Sequence, residues 1–353
     1  MSHRSLSDCG ARVGGQVPVG ALLTPPDAGT TSYREAGVDL TGADRHTESI
    51  AGPVRSTWTD EVVGSFGGFA AGIRIPPGYD DPVLMMSTDG VGTKLDIARQ
   101  VDQWSGVGFD LVAMCVDDLA AAGASPLGFV DYLAVGSLRP DRDRTIVESV
   151  AAACLQAGCA LLGGETAEHP GVMEEDAVDL AGAVMGVVDS ADVLEPERVR
   201  VSDVIVGLRS PNLRSNGFSL VRAVLGDAIV EHATTLLDAS VIYSPAVLAA
   251  ATTGAVHAAA HITGGGLAGN LTRVLPEGLG ANVDTATWAR PAVFDLISEH
   301  GVAEEEMRRT FNLGVGFCLI VDPGGLDEVL RATGAHDPAV IGSLTTGEGV
   351  LLT

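Results

Sequence analysis

The chain has 353 residues, of which 46% are hydrophobic but only 4% aromatic, and it carries a formal net charge of −25. At roughly 100–200 residues per domain, this length predicts two domains, with a core built from Ala, Val and Leu. The negative charge argues against nucleic acid as a partner, because a polyanion would be repelled. The sequence contains no run of about 18 apolar residues, so a membrane span is not predicted.

Two further features concern the setting of the protein. Residues 1–32 are rich in Gly, Pro and Thr and lack the apolar stretch of a signal peptide, so we expect a flexible leader. An odd number of scattered cysteines without a CxxC pair predicts a reducing, cytoplasmic setting. The cysteines are Cys9, Cys115, Cys154, Cys159 and Cys318.

From residue 33 onward, apolar runs of strand and helix type alternate, which predicts an α/β fold of the α+β type. A polar passage at 189–203 predicts a boundary between two mixed α/β domains, 33–190 and 191–353, and Gly-rich residues 64–72 predict a loop. The predicted strands are 83–87, 127–136, 160–166, 180–188, 204–208 and 314–322. The predicted helices are 109–126 with Asp110 as N-cap, 142–159, 215–226, 241–252, 262–275 and 290–301.

The segment STDGVGTKLD, residues 87–96, ends a predicted strand with an acid, two glycines and a lysine. Gly90 and Gly92 let backbone amides approach an anion closely. Lys94 adds a positive charge, and Asp89 could hold Mg²⁺ that bridges phosphate oxygens. No Walker A or GxGxxG pattern is present. The segment is typical of a phosphate-and-metal site, although an ordinary strand-to-helix turn could use the same residues.

Three acids lie in apolar surroundings close to this loop. Asp117 and Asp118 fall in a predicted apolar helix, and Asp131 falls in the next predicted strand. Carboxylates in such positions need a partner, a metal or a polar cleft. The group therefore favours a Mg²⁺–nucleotide cluster, while the simpler alternative leaves one acid of the helix pair exposed to water.

Several later loops also carry polar or glycine-rich patterns. In GGETAEHPG, Glu165 could bind metal or a ligand hydroxyl, and Glu168 is expected to face water. His257 and His261 have the spacing of a helical zinc pair, but the Glu of HExxH is missing and zinc is not predicted. TGGG (263–266) and SNG (215–217) precede predicted helices and offer backbone amides to an anion.

Together these motifs resemble the phosphoribosylformylglycinamidine cyclo-ligase family, also called aminoimidazole ribonucleotide synthetases, of purine biosynthesis. The resemblance implies a homodimer whose first-domain strands form a barrel across the interface. It also implies that ATP with Mg²⁺ phosphorylates a formamide oxygen, that an amidine nitrogen then attacks, and that phosphate leaves. The matching stretches, in order from about residue 33 to 320, are YREAGVDL, GSFGGF, TDGVGTKLDIA, DLVAMCVDDL, GASPLGFVDYLAVG, GCALLGGETAEHPG, SNGFSLVR, HITGGGLAGNLTRVLP and RTFNLGVG.

The resemblance also implies a set of site residues. Asp89 would ligate Mg²⁺ beside the loop that cradles ATP phosphates, and Asp118 would share the metal or polarise the substrate. The implied catalytic residues are Asp118, Glu165, Arg214 and His261. The implied ATP-binding residues are Asp89, Gly90, Gly92, Thr93, Lys94 and Thr166, and the implied metal ligands are Asp89 and Asp118. The implied substrate-binding residues are Ser215, Asn216, Thr263, Gly264, Gly265 and Gly266.

Three positions depart from the family pattern. Ala51 stands where the family usually has Lys, Arg214 where it has His, and Val241 where it has Arg. Arg214 cannot act as a base near neutral pH. Three functions therefore remain open: the cyclo-ligase itself, a paralogue that activates a different amide with ATP, and a nucleotide-binding protein without catalysis. Selenophosphate synthetases and thiamine-phosphate kinases of the same superfamily fit the motifs less well.

Overall fold

A computed structural model describes residues 39–353, so the expected leader, residues 1–32, lies outside the described part. Helices and strands alternate along most of it. The elements up to residue 189 are α1 (Leu40–Ser56), β1 (Val62–Val63), β2 (Gly72–Ile73), β3 (Pro82–Gly90), α2 (Lys94–Val101), α3 (Val107–Ala121), β4 (Ser125–Val135), α4 (Pro140–Ala157), β5 (Ala160–Glu168) and β6 (Val178–Asp189).

The elements that follow build the rest of the chain. They are β7 (Val204–Arg209), α5 (Phe218–Leu225), α6 (Ile229–Leu236), α7 (Ser244–Ala251), β8 (Val256–His261), α8 (Gly266–Thr272), β9 (Leu279–Val283), α9 (Ala292–Glu299), α10 (Glu304–Thr310), β10 (Val315–Val321), α11 (Leu326–Ala332), β11 (Ala339–Thr346) and β12 (Val350–Leu352). The predicted mixed α/β fold is confirmed. The boundary near residue 190 stays a prediction, although each main sheet lies on one side of it.

The first sheet has four strands in the order β3-β6-β4-β5. Only the β4–β5 pair is parallel. Helices α3 and α4 contact these strands, and side chains such as Phe129 and Leu133 are buried there. Alternate residues point the opposite way because successive side chains of a strand face opposite sides. As a result, Met86 and Tyr132 are exposed, and this side of the sheet is open.

The second sheet has six strands in the order β12-β9-β11-β7-β10-β8. Its central strands β7 and β10 are nearly continuous apolar runs and are buried, as expected for strands covered on both faces. Strand β8 is an edge strand, and its last residue is His261. The segment HAAAH is therefore extended, and its two histidines do not share a helix face.

Helix α3 joins the two halves. It contacts the first sheet and also contacts α7 and β8 of the second half. It is apolar nearly all round and almost wholly buried, as a helix between two layers should be. Its buried acid Asp110 accepts hydrogen bonds from the backbone N–H and the hydroxyl of Ser240, at 3.0 and 2.6 Å. These bonds tie the first half to the second.

Several local predictions are corrected by the structure. Helix α3 begins at Val107, so Asp110 is not its N-cap. Asp110 lies one turn inside the helix, where its carboxylate binds Lys94. The strand predicted at 160–166 is longer, since β5 continues through Gly163 and Gly164 to Glu168. A Cβ at Gly164 would lie 1.8 Å from the Asp131 carboxylate, which explains that glycine. Glu168 accepts the backbone N–H of Leu138 at 2.9 Å and does not simply face water.

Two further observations concern the setting. Within residues 39–353, no helix is both long enough and apolar enough to cross a membrane. Four cysteines in the same range are free and buried: Cys115, Cys154, Cys159 and Cys318.

Candidate active site

A cleft of about 360 Å³ opens where α3 passes between β3 and β8. Its volume is in the range of small-molecule sites, which are typically roughly 300–1,000 Å³. Apolar residues form much of the wall. The polar residues that line it are Ser87, Asp118, His261, Asn270 and Arg273. Strand β3, helix α3 and edge strand β8 each end or turn here, so side chains from both halves meet.

A chain of hydrogen bonds leads from this cleft into the interior. The Asp118 carboxylate bonds to His261 Nδ1 at 2.8 Å and accepts the Ser87 hydroxyl at 3.1 Å. The other ring nitrogen, His261 Nε2, lies 2.6 Å from Arg214 Nη1. The Arg214 Nη2 atom in turn donates to Asp117 at 2.6 Å. The chain therefore alternates acid, imidazole, guanidinium and acid.

This series of hydrogen bonds fixes the position of the proton on the His261 ring. A guanidinium has donors only, so His261 Nε2 must accept from Arg214. The single proton of the neutral ring is then on Nδ1, from which it is donated to Asp118. Arg214 thus determines which atom of His261 faces the cleft acid.

Arg214 itself is completely buried. Its guanidinium also donates to the carbonyl of Val241 at 3.0 Å and lies over the ring of Tyr243. It cannot touch a ligand in the cleft, so its predicted direct role in catalysis is not supported by this geometry. Arg214 acts through His261, and both are positioning residues for Asp118.

Asp89 lies beside Asp118 at the end of β3. Burial raises the pKa of Asp89, the backbone N–H of Gly90 opposes this, and the Asp118 charge raises it further. Burial would also raise the pKa of Asp118, but the hydrogen bond from His261 and nearby positive charge outweigh it, and the pKa of Asp118 lies below its usual value. The charges of the two carboxylates therefore act on each other, although only Asp118 is among the residues that line the cleft.

These two acids suit Mg²⁺ as a ligand set. Among the described residues no group of three or more His, Cys, Asp or Glu side chains could hold a metal ion. Mg²⁺ does not need one, because it commonly binds one or two carboxylates and completes its shell with waters and phosphate oxygens. Asp89 and Asp118 fit that pattern.

The three glycine-bearing loops of the two halves lie close to one another. Thr93 lies 3.1 Å from Ser219, hydroxyl to hydroxyl, just after the SNG turn. Asn216 accepts the backbone N–H of Gly264 at 3.1 Å and lies 3.6 Å from the sulfur of Met114. The structure thus places the predicted segments 89–93, 215–216 and 263–266 around one region.

Asn270 organises the last of these loops. Its amide nitrogen donates to the carbonyls of Thr263, Gly264 and Gly266 at 3.3, 3.3 and 2.8 Å. Gly266 has φ of 63° and, like Gly265 with φ of 99°, occupies the left-handed region. A Cβ at Gly266 would lie 2.0 Å from the carbonyl of Arg308. Packing therefore requires glycine at position 266, and the backbone favours it at 265, whatever the loop binds.

The prediction that Lys94 binds ATP phosphates is not supported. Its side chain is fully buried and forms an ion pair with Asp110 at 2.8 Å. Its ammonium also donates to the carbonyls of Arg214 and Asp238 at 3.2 and 2.8 Å. All three donors are used inside the protein. Lys94 therefore joins the two halves and does not reach the cleft.

Glu165 and Thr166 lie elsewhere. They belong to β5, three strands from β3, which places them ~14 Å from Asp89 at the usual strand spacing. Glu165 is exposed opposite Tyr132, and Thr166 lies 3.2 Å from His46. Both line a second cavity of about 570 Å³ with Asp131 and the 65–71 loop. Within one chain, they do not join Asp118 in one site.

Sequence reasoning missed three polar residues of the cleft: Ser87, Asn270 and Arg273. Ser87 stands in the quoted loop segment but attracted no role beside Asp89. Asn270 and Arg273 lie about one and two turns after TGGG, so helical spacing from that loop could have indicated them.

Comparison with known proteins agrees with this fold. Models of AIR synthase related proteins match the chain, the N-terminal domain at residues 67–188 and the C-terminal domain at 200–352. Thiamine-monophosphate kinase of Stenotrophomonas maltophilia K279a has a similar structure, with a TM-score of 0.62 at 18% identity over 86% of this chain and 95% of that chain. Hydrogenase maturation protein HypE in complex with ATP also gives a TM-score of 0.62, at 20% identity over 88% of each chain. The fold and site thus define an AIR synthase-related protein.

A relative of known name narrows this class. The chain is 46% identical over 318 residues to phosphoribosylformylglycinamidine cyclo-ligase of Sorangium cellulosum (strain So ce56). The aligned region covers 86% of this chain and 91% of the relative. The chain therefore belongs to the phosphoribosylformylglycinamidine cyclo-ligase family, and it is an enzyme of the ligase class.

Two of the three departures from the family pattern contact each other. Arg214 fills the interior behind His261, and Val241 offers it a backbone carbonyl. Neither of these side chains is among those that line the cleft. Ala51 lies on α1, away from Asp89 and Asp118. The departures from the family pattern thus affect residues behind or away from the cleft more than the residues that line it.

Proposed function

We propose that this enzyme converts formylglycinamidine ribonucleotide to aminoimidazole ribonucleotide with ATP, in purine biosynthesis. The observation that carries the proposal is the Asp118 carboxylate in a cleft formed by both halves, with Asp89 close enough for the two charges to act on each other. The 46% identical cyclo-ligase supports the reaction. The ATP complex of the structurally similar HypE supports the use of ATP.

In this proposal the chain binds and orients the reactants. When bound, ATP would supply the phosphoryl group that activates the formamide oxygen, and Mg²⁺ would neutralise charge on the phosphates. Asp89 and Asp118 would hold the metal, and His261 keeps the Asp118 carboxylate in place. Backbone amides of the 90–93 loop would bind phosphate oxygens, a role that the buried Lys94 cannot take. Catalysis then comes mainly from positioning and charge neutralisation.

The second half supplies the substrate side of the cleft. We assign Ser215, Asn216 and the loop 263–266 to substrate binding, and these two segments are linked by the Asn216–Gly264 hydrogen bond. A substrate held here has its reacting formamide group next to the paired acids. Arg214 and Val241, which stand where the family has His and Arg, are placed behind His261. The change at these two positions is therefore compatible with the standard substrate.

We further propose a homodimer formed through the open face of the first sheet, in a barrel shared by two copies. Four large apolar side chains are exposed on β3 and β4: Leu84, Met86, Val130 and Tyr132. A contiguous apolar patch of this kind on a sheet is unusual unless it binds a partner. The free buried cysteines fit a reducing, cytoplasmic setting.

An ADP-release assay tests the reaction. The wild type, the variant D118N and the surface variant R331Q would be incubated with Mg²⁺, ATP and either formylglycinamidine ribonucleotide or a panel of related amides. We expect ADP only with the ribonucleotide, loss of turnover in D118N, and normal turnover in R331Q. Turnover with another amide alone would establish the paralogue, and no turnover with any amide would contradict catalysis.

A further inference from the structure

We propose that Arg273 is the cationic residue that binds a phosphate group of the ligands in the cleft between α3, β3 and β8. The inference deepens the proposed function and rests on it for the identity of the ligands. Its starting point is the shortage of cations. The sequence contains a single lysine, Lys94, and the structure buries it in an ion pair with Asp110.

The remaining candidates are arginines, and only one reaches the cleft. Arg273 is the only arginine or lysine among the cleft-lining residues in the described range. Arg214 is closer to His261 but is fully buried, with its terminal nitrogens bonded to Asp117, His261 and Val241. A phosphate in the cleft can therefore meet only the guanidinium of Arg273.

Arg273 is also free to bind. Among residues 39–353, no carboxylate lies within 4.0 Å of its nitrogens, whereas most other arginines there have such a partner. Its one side-chain hydrogen bond, 3.3 Å from Nη1 to the Asn270 amide oxygen, leaves the other donors available. That bond orients the side chain from the C-terminal end of α8.

The local charge also requires a cation at this place. The Asp118 carboxylate lines the same cleft as Arg273, and it would repel a phosphate that arrives alone. The charge of Arg273 reaches Asp118. Arginine binds phosphate in a planar, bidentate way that makes strong, directional hydrogen bonds. The phosphate can come from the nucleotide or from the ribonucleotide substrate.

Steady-state kinetics and equilibrium titration of R273Q, R273K and the matched surface variant R331Q test this. Arg331 is an exposed arginine of α11 whose nearest carboxylate, in Glu328, lies 3.9 Å away. We expect R273Q to raise KM for one ligand about 10- to 100-fold, with a smaller rise in R273K, unchanged thermal unfolding and no effect in R331Q. A rise for the substrate alone assigns its phosphate to Arg273, and a rise for ATP alone assigns the nucleotide phosphate.

Unchanged KM and affinity for both ligands in R273Q would overturn the inference. So would a fall in kcat and in thermal stability at constant KM, since that result marks Arg273 as a support of Asn270. The titrations, with Mg²⁺ and a non-hydrolysable ATP analogue or with the ribonucleotide, need no turnover. A wild type that binds through Arg273 but releases no ADP would contradict only the proposed function.

Discussion

Arg214 Nη1 lies 2.6 Å from His261 Nε2, in the interior behind the cleft. Because the guanidinium can only donate, this contact leaves the ring proton on Nδ1, which points to Asp118 at 2.8 Å. A buried arginine thus sets the direction of a carboxylate that it does not touch. The chain of contacts continues to Asp117, so the cleft acid is held from the interface between the two halves.

This arrangement predicts a specific pattern of stability. R214M should destabilise the fold by about 3–5 kcal/mol, because it leaves Asp117 as a buried charge without its cation. The double variant D117N/R214M should recover much of that loss. The replacement amide can still accept the backbone N–H bonds of Tyr243 and Ser244. Urea unfolding at neutral pH measures both, and a double variant as unstable as R214M would contradict the pairing.

The sole lysine gives a direct test of the corrected role of Lys94. An amine-acetylating reagent should leave Lys94 unmodified in the native protein and modify it fully in urea, because its side chain is completely buried. Mass spectrometry of the peptide that contains residue 94 measures the extent. Rapid native labelling that ATP suppresses would instead show that Lys94 reaches the nucleotide.

Asp131 predicts a pH dependence of stability. Burial raises its pKa to about 7, whereas an aspartate in the unfolded chain titrates near about 3.9. The stabilising contribution of the protonated form is therefore complete below about pH 4 and is lost as the pH rises to about 7. Relative to D131N, the wild type should lose on the order of 2–4 kcal/mol of unfolding free energy over that window.

Chemical unfolding of both proteins across this pH range measures the difference. The exposed acid Asp227 supplies the control variant, D227N. Parallel curves for D131N and the wild type would contradict a protonated Asp131 in the fold.

The open sheet face predicts how the chain associates. M86E should convert a dimer to a monomer, since Met86 is 73% exposed at the centre of the apolar patch and a charge there would be desolvated on association. L351E is the matched control, because Leu351 is 58% exposed on the other sheet. Sedimentation velocity distinguishes the forms. A monomeric wild type, or an unchanged dimer in M86E, would contradict the proposed interface.

The sequence predicted helices and strands better than it predicted which side chains bind each other. Strand β3 and helix α4 followed from local apolar patterns and glycine stops, which act over a few residues. Lys94 was predicted to bind phosphate because its charge follows Gly90 and Gly92, and its partner Asp110 was interpreted as an N-cap. The ion pair between them depends on how α2 packs against β6 and α6, and no local pattern encodes it.

The candidate site shows the same division. Asp89 was predicted from its place at a strand end before two glycines, and Asp118 from its position in an apolar helix; in the structure their charges act on each other. Arg214 was predicted to be catalytic because it precedes SNG, but its φ of 60° and its bond to Asp117 turn it into the interior. The link between His261 and Asp118 spans 143 residues of sequence, which spacing arguments cannot reach.

The central claim is that nucleotide binds through Mg²⁺ at Asp89 and Asp118. A crystal structure with Mg²⁺ and a non-hydrolysable ATP analogue tests it most directly. We expect Mg²⁺ at roughly 2.0–2.1 Å from a carboxylate oxygen of Asp89 or Asp118 and from phosphate oxygens, with the phosphates beside the 90–93 loop. A nucleotide bound elsewhere, with both carboxylates free of metal, would contradict the account.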